Sequence, residues 1–251
     1  MNRKWLIINA DDFGFSPDIN AAIEELHRSG AVTNTTLMVD GQHVEEALRI
    51  AGRNPSLCVG LHLDLCPVAG LYRLPYAQMR EELQNRTVLD QVAEEVARQI
   101  SKFKSFGLEF QHMDGHRHFH ALPELFDTVI GVAAGYGLKT IRFTKDWILP
   151  RTPSVYLDED FFQQSLSLLR HRGIACTETF VYGWREYSPA DVRPGWNELM
   201  VHVGYDDEQY LREYKRLASP AFLESLREAG IQLSCYAELA RCIRGTTGTE
   251  K

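Results

Sequence analysis

The sequence has 251 residues, 44% hydrophobic and 24% charged, so it can bury a full core as a single domain. Its 27 Lys and Arg against 34 Asp and Glu give a net charge of -7 without a basic run, which excludes an obvious nucleic-acid or anionic-membrane binder. The 5 cysteines lack a Cys-x-x-Cys pair, so we expect no disulfide framework, no zinc knot and a cytoplasmic location. The apolar run after residue 4 is too short for a signal sequence, and we expect no membrane insertion.

The first unit of the chain is predicted to be a strand, a polar loop and a helix. Residues 5–8 are apolar and stop just before Asp11 and Asp12, as in a buried parallel strand that ends in a loop. Ser16 followed by proline predicts a helix start, and the apolar spacing over residues 19–26 predicts the helix itself.

The same alternation continues along the chain. Further strands are predicted at 35–39, 57–63, 110–113, 140–143, 177–181, 198–203 and 231–234. Further helices are predicted at 43–51, around 92–103, at 123–134, around 161–170 and after Ser219. Two stretches, 66–86 and 146–160, are predicted to be loops over a site, and the tail at 245–251 is predicted to be disordered.

This pattern predicts an α/β fold. Seven or eight strands that alternate with helices, with no repeat and no flexible linker, indicate one domain over residues 1–244. We expect a mostly parallel sheet closed into a distorted (β/α) barrel, similar to a TIM barrel. A doubly wound open sheet is the alternative, but the first turn reads Ala-Asp-Asp-Phe-Gly and not as a glycine-rich phosphate loop.

Acidic and imidazole side chains recur at the predicted carboxyl ends of the strands. They are Asp11, Asp12, His62, His116 and His202. Because the carboxyl ends of parallel strands meet at one face of a barrel, we expect these side chains to converge. One carboxylate and two imidazoles can hold a divalent metal and still leave coordination positions open for water and substrate. The sequence therefore predicts a metal site of the catalytic kind.

Each of these residues also has an ordinary structural explanation. Paired aspartates often serve turns or helix caps, although Ser16 already fits the cap. A lone imidazole in an apolar strand, such as His62, is commonly a hydrogen-bonded core residue. His202 alone favours neither reading, whereas the dense tract at 112–120 is more typical of metal binding than of a solvated loop. Four loop aromatics fit either sugar stacking or packing: Tyr72, Tyr182, Trp184 and Trp196.

Four motifs, taken in order, resemble the YdjC/ChbG-like family of carbohydrate deacetylases, which includes chitooligosaccharide deacetylases and hopanoid-biosynthesis-associated relatives. They are Ile-Asn-Ala-Asp-Asp-Phe-Gly at 8–14, Val-Thr-Asn-Thr-Thr at 32–36, Gly-Leu-His at 60–62 and His-Met-Asp-Gly-His-Arg-His-Phe-His at 112–120. The resemblance implies a metal-dependent hydrolase that removes an N-acetyl group from an amino sugar or oligosaccharide. It also implies one bound divalent ion. Magnesium or zinc is the expected ion, and cobalt, nickel or manganese would also suit the ligands. Family members are often dimers, so a homodimer is compatible with the resemblance.

The resemblance also implies a role for each site residue. The metal ligands of the family correspond to Asp12, His62 and His116. The general base corresponds to Asp11, and the general acid corresponds to His202, although this chain has Val203 where many relatives have proline. Arg142, at the end of another predicted strand, is expected either to orient Asp11 or to be an ordinary surface arginine.

Two other classes of function stay open at this point. One is a different metal-dependent hydrolase on a similar barrel, an amidohydrolase or a phosphoesterase. An amidohydrolase typically has His-x-His after strand one, where this chain has Asp-Asp. A phosphoesterase would be expected to have more basic residues near the metal. The other class is a non-catalytic metal or sugar binder, against which the intact set of base, ligands and acid argues.

Overall fold

Parallel strands and the helices between them make up the fold. The computed structural model describes residues 3–143, 159–183 and 187–246. The strands found there are β1 (Lys4–Phe13), β2 (Asn34–Leu37), β3 (Cys58–Leu63), β4 (His112–Gly115), β5 (Thr140–Ile141), β6 (Thr179–Tyr182), β7 (Gly195–Val201) and β8 (Ile231–Ser234). The helices are α1 (Pro17–Arg28), α2 (Val44–Arg53), α3 (Tyr76–Glu82), α4 (Arg86–Ser105), α5 (Pro123–Gly135), α6 (Glu159–His171), α7 (Glu208–Leu217), α8 (Pro220–Glu228) and α9 (Tyr236–Thr246).

All the named strands belong to one sheet, and their pairings are parallel. The order is β5-β4-β3-β2-β1-β7-β6, and β8 pairs with the first residues of β1. A parallel bridge between Thr140 and Ala175 links β5 to the chain that leads into β6, so the curled sheet meets itself. This arrangement confirms the predicted α/β fold of the barrel type. It also directs the carboxyl ends of the strands to one face, where such folds place their sites.

The first helix shows how the local sequence produces this architecture. Ser16 caps α1 by accepting a hydrogen bond from the backbone N–H of Ile19, and Pro17 occupies the first turn. The apolar face of α1 packs into the core, where Leu26 is 1% exposed. Burying such a side chain contributes about 1.5–3 kcal/mol, more than the cap does. Among the described helices, none is both long and apolar enough to span a membrane.

Five parts of the chain differ from the prediction or lie outside the described residues. The predicted loop at 66–86 is wrong, because it contains a short 3-10 helix at Val68–Arg73 and helix α3. Helices α7 and α9 were not predicted, and α9 continues to Thr246, into the predicted tail. Residues 146–158 of the second predicted loop and residues 247–251 of the tail lie outside the described residues.

Candidate active site

The carboxylates of Asp11 and Asp12 lie inside the carboxyl end of β1, not after it. Successive side chains of a regular strand point to opposite faces, so two neighbouring carboxylates would be separated. The pairing of β1 with β2 shifts register between Ala10 and Phe13, and Asp12 has a φ of 63°. This bulge, with a strained left-handed residue, redirects Asp12 so that both carboxylates reach the same site.

Two imidazoles from separate strands meet the carboxylate of Asp12. Its Oδ1 lies 3.2 Å from His62 Nε2 and 3.1 Å from His116 Nδ1. His62 belongs to β3, whereas His116 follows β4 at the start of a 3-10 helix, His116–Ala121. One ligand atom from each of the three residues lies within 4.8 Å of the others. The structure thus brings together the three residues that the sequence analysis expected to hold a metal.

Asp114 fixes the orientation of His62. Its Oδ1 lies 2.7 Å from His62 Nδ1, and its Oδ2 accepts a hydrogen bond from Thr36 at 3.0 Å. A proton on Nδ1 leaves the lone pair of Nε2 facing Asp12 Oδ1, which is also an acceptor, so a cation belongs between them. Without a metal, a second proton can supply that charge. Burial lowers the pKa of His62, but the charge and hydrogen bond of Asp114 outweigh it and raise that pKa well above its ordinary value.

Electrostatics also favour an ionised Asp12. Burial raises the pKa of this carboxyl, since Asp12 is only 4% exposed. The hydrogen bonds from His116 and His62 and the charge of His62 act the other way, and together they hold the pKa well below its usual range. Asp12 is therefore a carboxylate across the whole physiological range of pH, as a metal ligand must be.

Arg142 is fully buried and holds Asp11, so the alternative of a surface arginine is wrong. Its Nη1 and Nη2 donate to the two oxygens of Asp11, each at 2.7 Å. The same guanidinium lies 2.8 Å from Asp114 and donates through Nε to Glu198 at 2.8 Å. A second acid and imidazole group, made of Asp11, His62 and Asp114, could also hold an ion by its spacing. Arg142 already supplies the positive charge there.

Glu198 and Tyr236 complete the buried network, and the sequence analysis missed both. Tyr236, the first residue of α9, donates its hydroxyl hydrogen to Glu198. Burial raises the pKa of Glu198 to about 7, although Arg142 and the Tyr236 hydrogen bond oppose that shift. The signal that could have revealed Glu198 is a carboxylate inside the apolar strand 196–201, because such a group needs a buried cation.

His202 lies at the rim of the same site. It directly follows β7, its Nε2 is 3.8 Å from Asp12 Oδ2, and its side chain is 22% exposed. The backbone N–H of His202 donates to Glu213 Oε2 at 3.0 Å. Val203, the next residue, is buried in the core. His202 is thus close to the candidate ligands but remains open to solvent on one side.

The other residues singled out from the sequence have packing roles where the structure describes them. His112 stacks on Tyr236, and His120 Nε2 lies 2.9 Å from the backbone oxygen of Arg142. Tyr182 is buried, and Trp196 stacks on Trp5 with ring centroids 5.0 Å apart. Trp184 and the side chain of Tyr72 lie outside the described residues.

A cavity of about 500 Å³ lies at the opposite end of the sheet. It is lined by the start of β3 at Cys58, the turn at Gly107 that follows α4, and Tyr236. The start of β3 and the turn after α4 lie at the amino ends of the strands, whereas Tyr236 follows β8 and also donates a hydrogen bond to Glu198. The three candidate ligands Asp12, His62 and His116 do not line this cavity.

The fold and the site define the class of this protein: a parallel α/β barrel-type protein with a candidate divalent-metal centre at the carboxyl ends of its strands. The family model described as "YdjC-like protein" matches residues 5–228. The chain belongs to this family.

Individual relatives agree with that assignment. The chain is 37% identical to a chitooligosaccharide deacetylase of Salmonella enteritidis, over 94% of this chain and 100% of that protein. It is 30% identical to a carbohydrate deacetylase of Geobacillus stearothermophilus, over 94% of this chain and 98% of that protein. A solved structure, of a putative cellobiose-phosphate cleavage protein from Enterococcus faecalis, matches with a TM-score of 0.72 and 25% identity, over 94% of this chain and 99% of that one.

Proposed function

We propose that this protein is a metal-dependent carbohydrate N-deacetylase, which hydrolyses the acetamide of an N-acetylated amino sugar or oligosaccharide to acetate and a free amine. One observation carries the proposal. Two ring nitrogens face a single carboxylate oxygen of Asp12, while a second carboxylate, Asp11, lies beside it and is held by Arg142. The names of the relatives, chitooligosaccharide deacetylase and carbohydrate deacetylase, support the substrate class.

The donor set fits a divalent ion. Two imidazole nitrogens and one carboxylate oxygen suit zinc, cobalt, nickel or manganese, and the resemblance adds magnesium. Asp12, His62 and His116 would hold the ion, and Asp114 would keep the Nε2 lone pair of His62 directed at it. When bound, such an ion polarises an acetamide carbonyl and lowers the pKa of a water molecule.

Asp11 is the base in this proposal, and one of its oxygens is suited to take the proton. Among the described residues, Oδ1 accepts hydrogen bonds from both Arg142 and Asn9, each at 2.7 Å. Oδ2 accepts one from Arg142 alone, which leaves a lone pair available for the proton of water. Arg142 orients the carboxylate, so that its remaining lone pair has a fixed direction.

His202 is the acid. An amine leaves as an anion unless a proton reaches its nitrogen, and this is unfavourable near neutral pH. The water oxygen bonds to the carbonyl carbon as Asp11 takes its proton, and Nε2 of His202 then donates a proton to the sugar nitrogen as the C–N bond breaks. The proton taken by Asp11 and the proton given by His202 balance the reaction, which yields acetate and the amine.

The first experiment is an acetate-release assay on chitobiose, longer chitooligosaccharides and free N-acetylglucosamine, with and without a chelator. We expect acetate from at least one of them, loss of activity with the chelator, and recovery when a divalent ion is added back. Release of phosphate from phosphorylated sugars, without acetate, would favour a phosphoesterase instead. Turnover of none of these substrates with metal present would favour a non-catalytic binder.

The second experiment separates the two aspartates. Asp11→Asn is expected to abolish turnover and to retain the metal, because Asp11 is not one of the three proposed ligands. Asp12→Asn is expected to lose both. An active Asp11→Asn variant would remove Asp11 from the role of base.

The five free cysteines also fit a reducing compartment, so we propose that the enzyme works in the cytoplasm.

A further inference from the structure

Helix α7 holds His202 from two directions. The carboxylate of Glu213 accepts the backbone N–H of His202 at 3.0 Å. The ring of Tyr210 stacks on the imidazole, with centroids 5.2 Å apart and an angle of 25° between the planes. Both residues come from the same helix, so the main chain and the side chain of His202 are fixed to one rigid element.

The start of α7 is itself tied down. Asp207 caps the helix by accepting hydrogen bonds from the backbone N–H groups of Gln209 and Tyr210, at 2.8 and 3.0 Å. Asp18, in the first turn of α1, accepts the backbone N–H of Tyr205 at 3.2 Å. The segment between His202 and Tyr210 is therefore anchored on both sides, and the position of the Tyr210 ring is set by the fold.

The surroundings of Tyr210 suit a ring that orients the imidazole of His202 and takes no part in proton transfer. Burial and the negative charge of Asp12 raise the pKa of Tyr210 well above its ordinary value, so the phenol keeps its proton at working pH. The ring contacts the face of the imidazole, not its edge, since the two planes are nearly parallel. It covers that face and leaves Nε2 of His202 toward Asp12 Oδ2, at 3.8 Å.

We propose that Tyr210 is a positioning residue for the proton donor His202, and that its ring, not its hydroxyl group, does this. The inference rests on the proposed deacetylase function and adds a residue to it. A stacked ring fixes the rotation of the imidazole, so that Nε2 is already directed at the leaving nitrogen when the C–N bond breaks. Without the ring, the imidazole samples other orientations and protonates the amine less often.

The test compares two leaving groups. An amide of an amino sugar needs a proton on the departing nitrogen, whereas 4-nitrophenyl acetate releases a stable phenolate that needs none. We measure kcat and KM for chitobiose and for 4-nitrophenyl acetate with wild type, Tyr210→Phe and Tyr210→Leu. Tyr214→Leu is the matched control, because Tyr214 lies on the same helix and packs against Tyr205, 5.1 Å between ring centroids. Circular dichroism and bound metal are recorded for each variant.

We expect Tyr210→Leu to lower kcat for chitobiose about 10- to 100-fold, a part of what general acid catalysis contributes, with KM and the ester reaction within about twofold of wild type. Tyr210→Phe and Tyr214→Leu should retain kcat within about threefold. The inference is overturned if Tyr210→Leu cleaves chitobiose at the wild-type rate, if it loses both reactions equally, or if Tyr210→Phe loses as much as Tyr210→Leu. A wild-type protein that releases acetate from none of chitobiose, longer chitooligosaccharides and free N-acetylglucosamine overturns the proposed function itself, and the inference with it.

Discussion

Replacing Arg142 by methionine tests whether the carboxylates beneath the site depend on one buried cation. The guanidinium is fully buried and contacts Asp11, Asp114 and Glu198 at 2.7–2.8 Å. The variant removes the cationic partner of Asp11 and Glu198, and leaves Asp114 paired with His62, although all three acids are buried. Removing one partner of a buried ion pair costs about 3–5 kcal/mol, a large fraction of the stability of an ordinary domain. We therefore expect a loss of that size.

Urea unfolding at neutral pH measures this loss, from the midpoint and slope of the transition. Arg142→Lys should recover only part of the stability, because an ammonium cannot donate to both oxygens of Asp11 and also reach Glu198. The matched control is Arg227→Met, since Arg227 is 74% exposed in its pair with Glu224 and should cost no more than about 1 kcal/mol. If Arg142→Met unfolds at the same urea concentration as this control, the assignment of Arg142 as the cation of the network is wrong.

Two further predictions concern packing and pH. Gly60→Ala is expected to destabilise the protein by about 1–3 kcal/mol in thermal unfolding, because a Cβ there would lie 2.6 Å from His112 Cδ2. The control Gly131→Ala, whose Cβ would have no atom within 4 Å, should be neutral or stabilising. Equal effects of the two substitutions would refute the close approach at Gly60. Burial raises the pKa of Glu198 from its ordinary 4.5 to about 7 in the folded protein, so folding takes up a proton between these pH values. Stability therefore falls as pH rises through them, by roughly 3 kcal/mol. Glu198→Gln should remove that decline in urea unfolding at pH 5 and pH 8, and parallel pH profiles would contradict it.

The sequence was sufficient for the features that depend on periodicity and caps. The helix that begins after Ser16 and the strand at Ile231–Ser234 lie where the pattern predicts them. The prediction that Asp12, His62 and His116 converge is also confirmed, because the carboxyl ends of parallel strands lie at the same face of the sheet.

The features that the sequence did not reveal depend on tertiary contacts. The left-handed backbone at Asp12 is stabilised by the bulge against β2, not by a local preference for that conformation. The choice between a surface and a buried Arg142 depends on three acids that are distant in sequence. The role of Glu198 was missed for the same reason, because the sequence around a single carboxylate in a strand does not identify its cationic partner. Helix α7 was missed although it carries the contacts to His202.

The most direct test of the central claim is a calorimetric titration of the metal-stripped protein with Zn²⁺. We predict one ion per chain, lost in His62→Asn and in His116→Asn. His171→Asn, at an exposed histidine on α6, should bind like wild type. Failure of the wild-type protein to bind an ion, or equal binding by the His116→Asn variant, would contradict the assignment of these side chains to a metal centre.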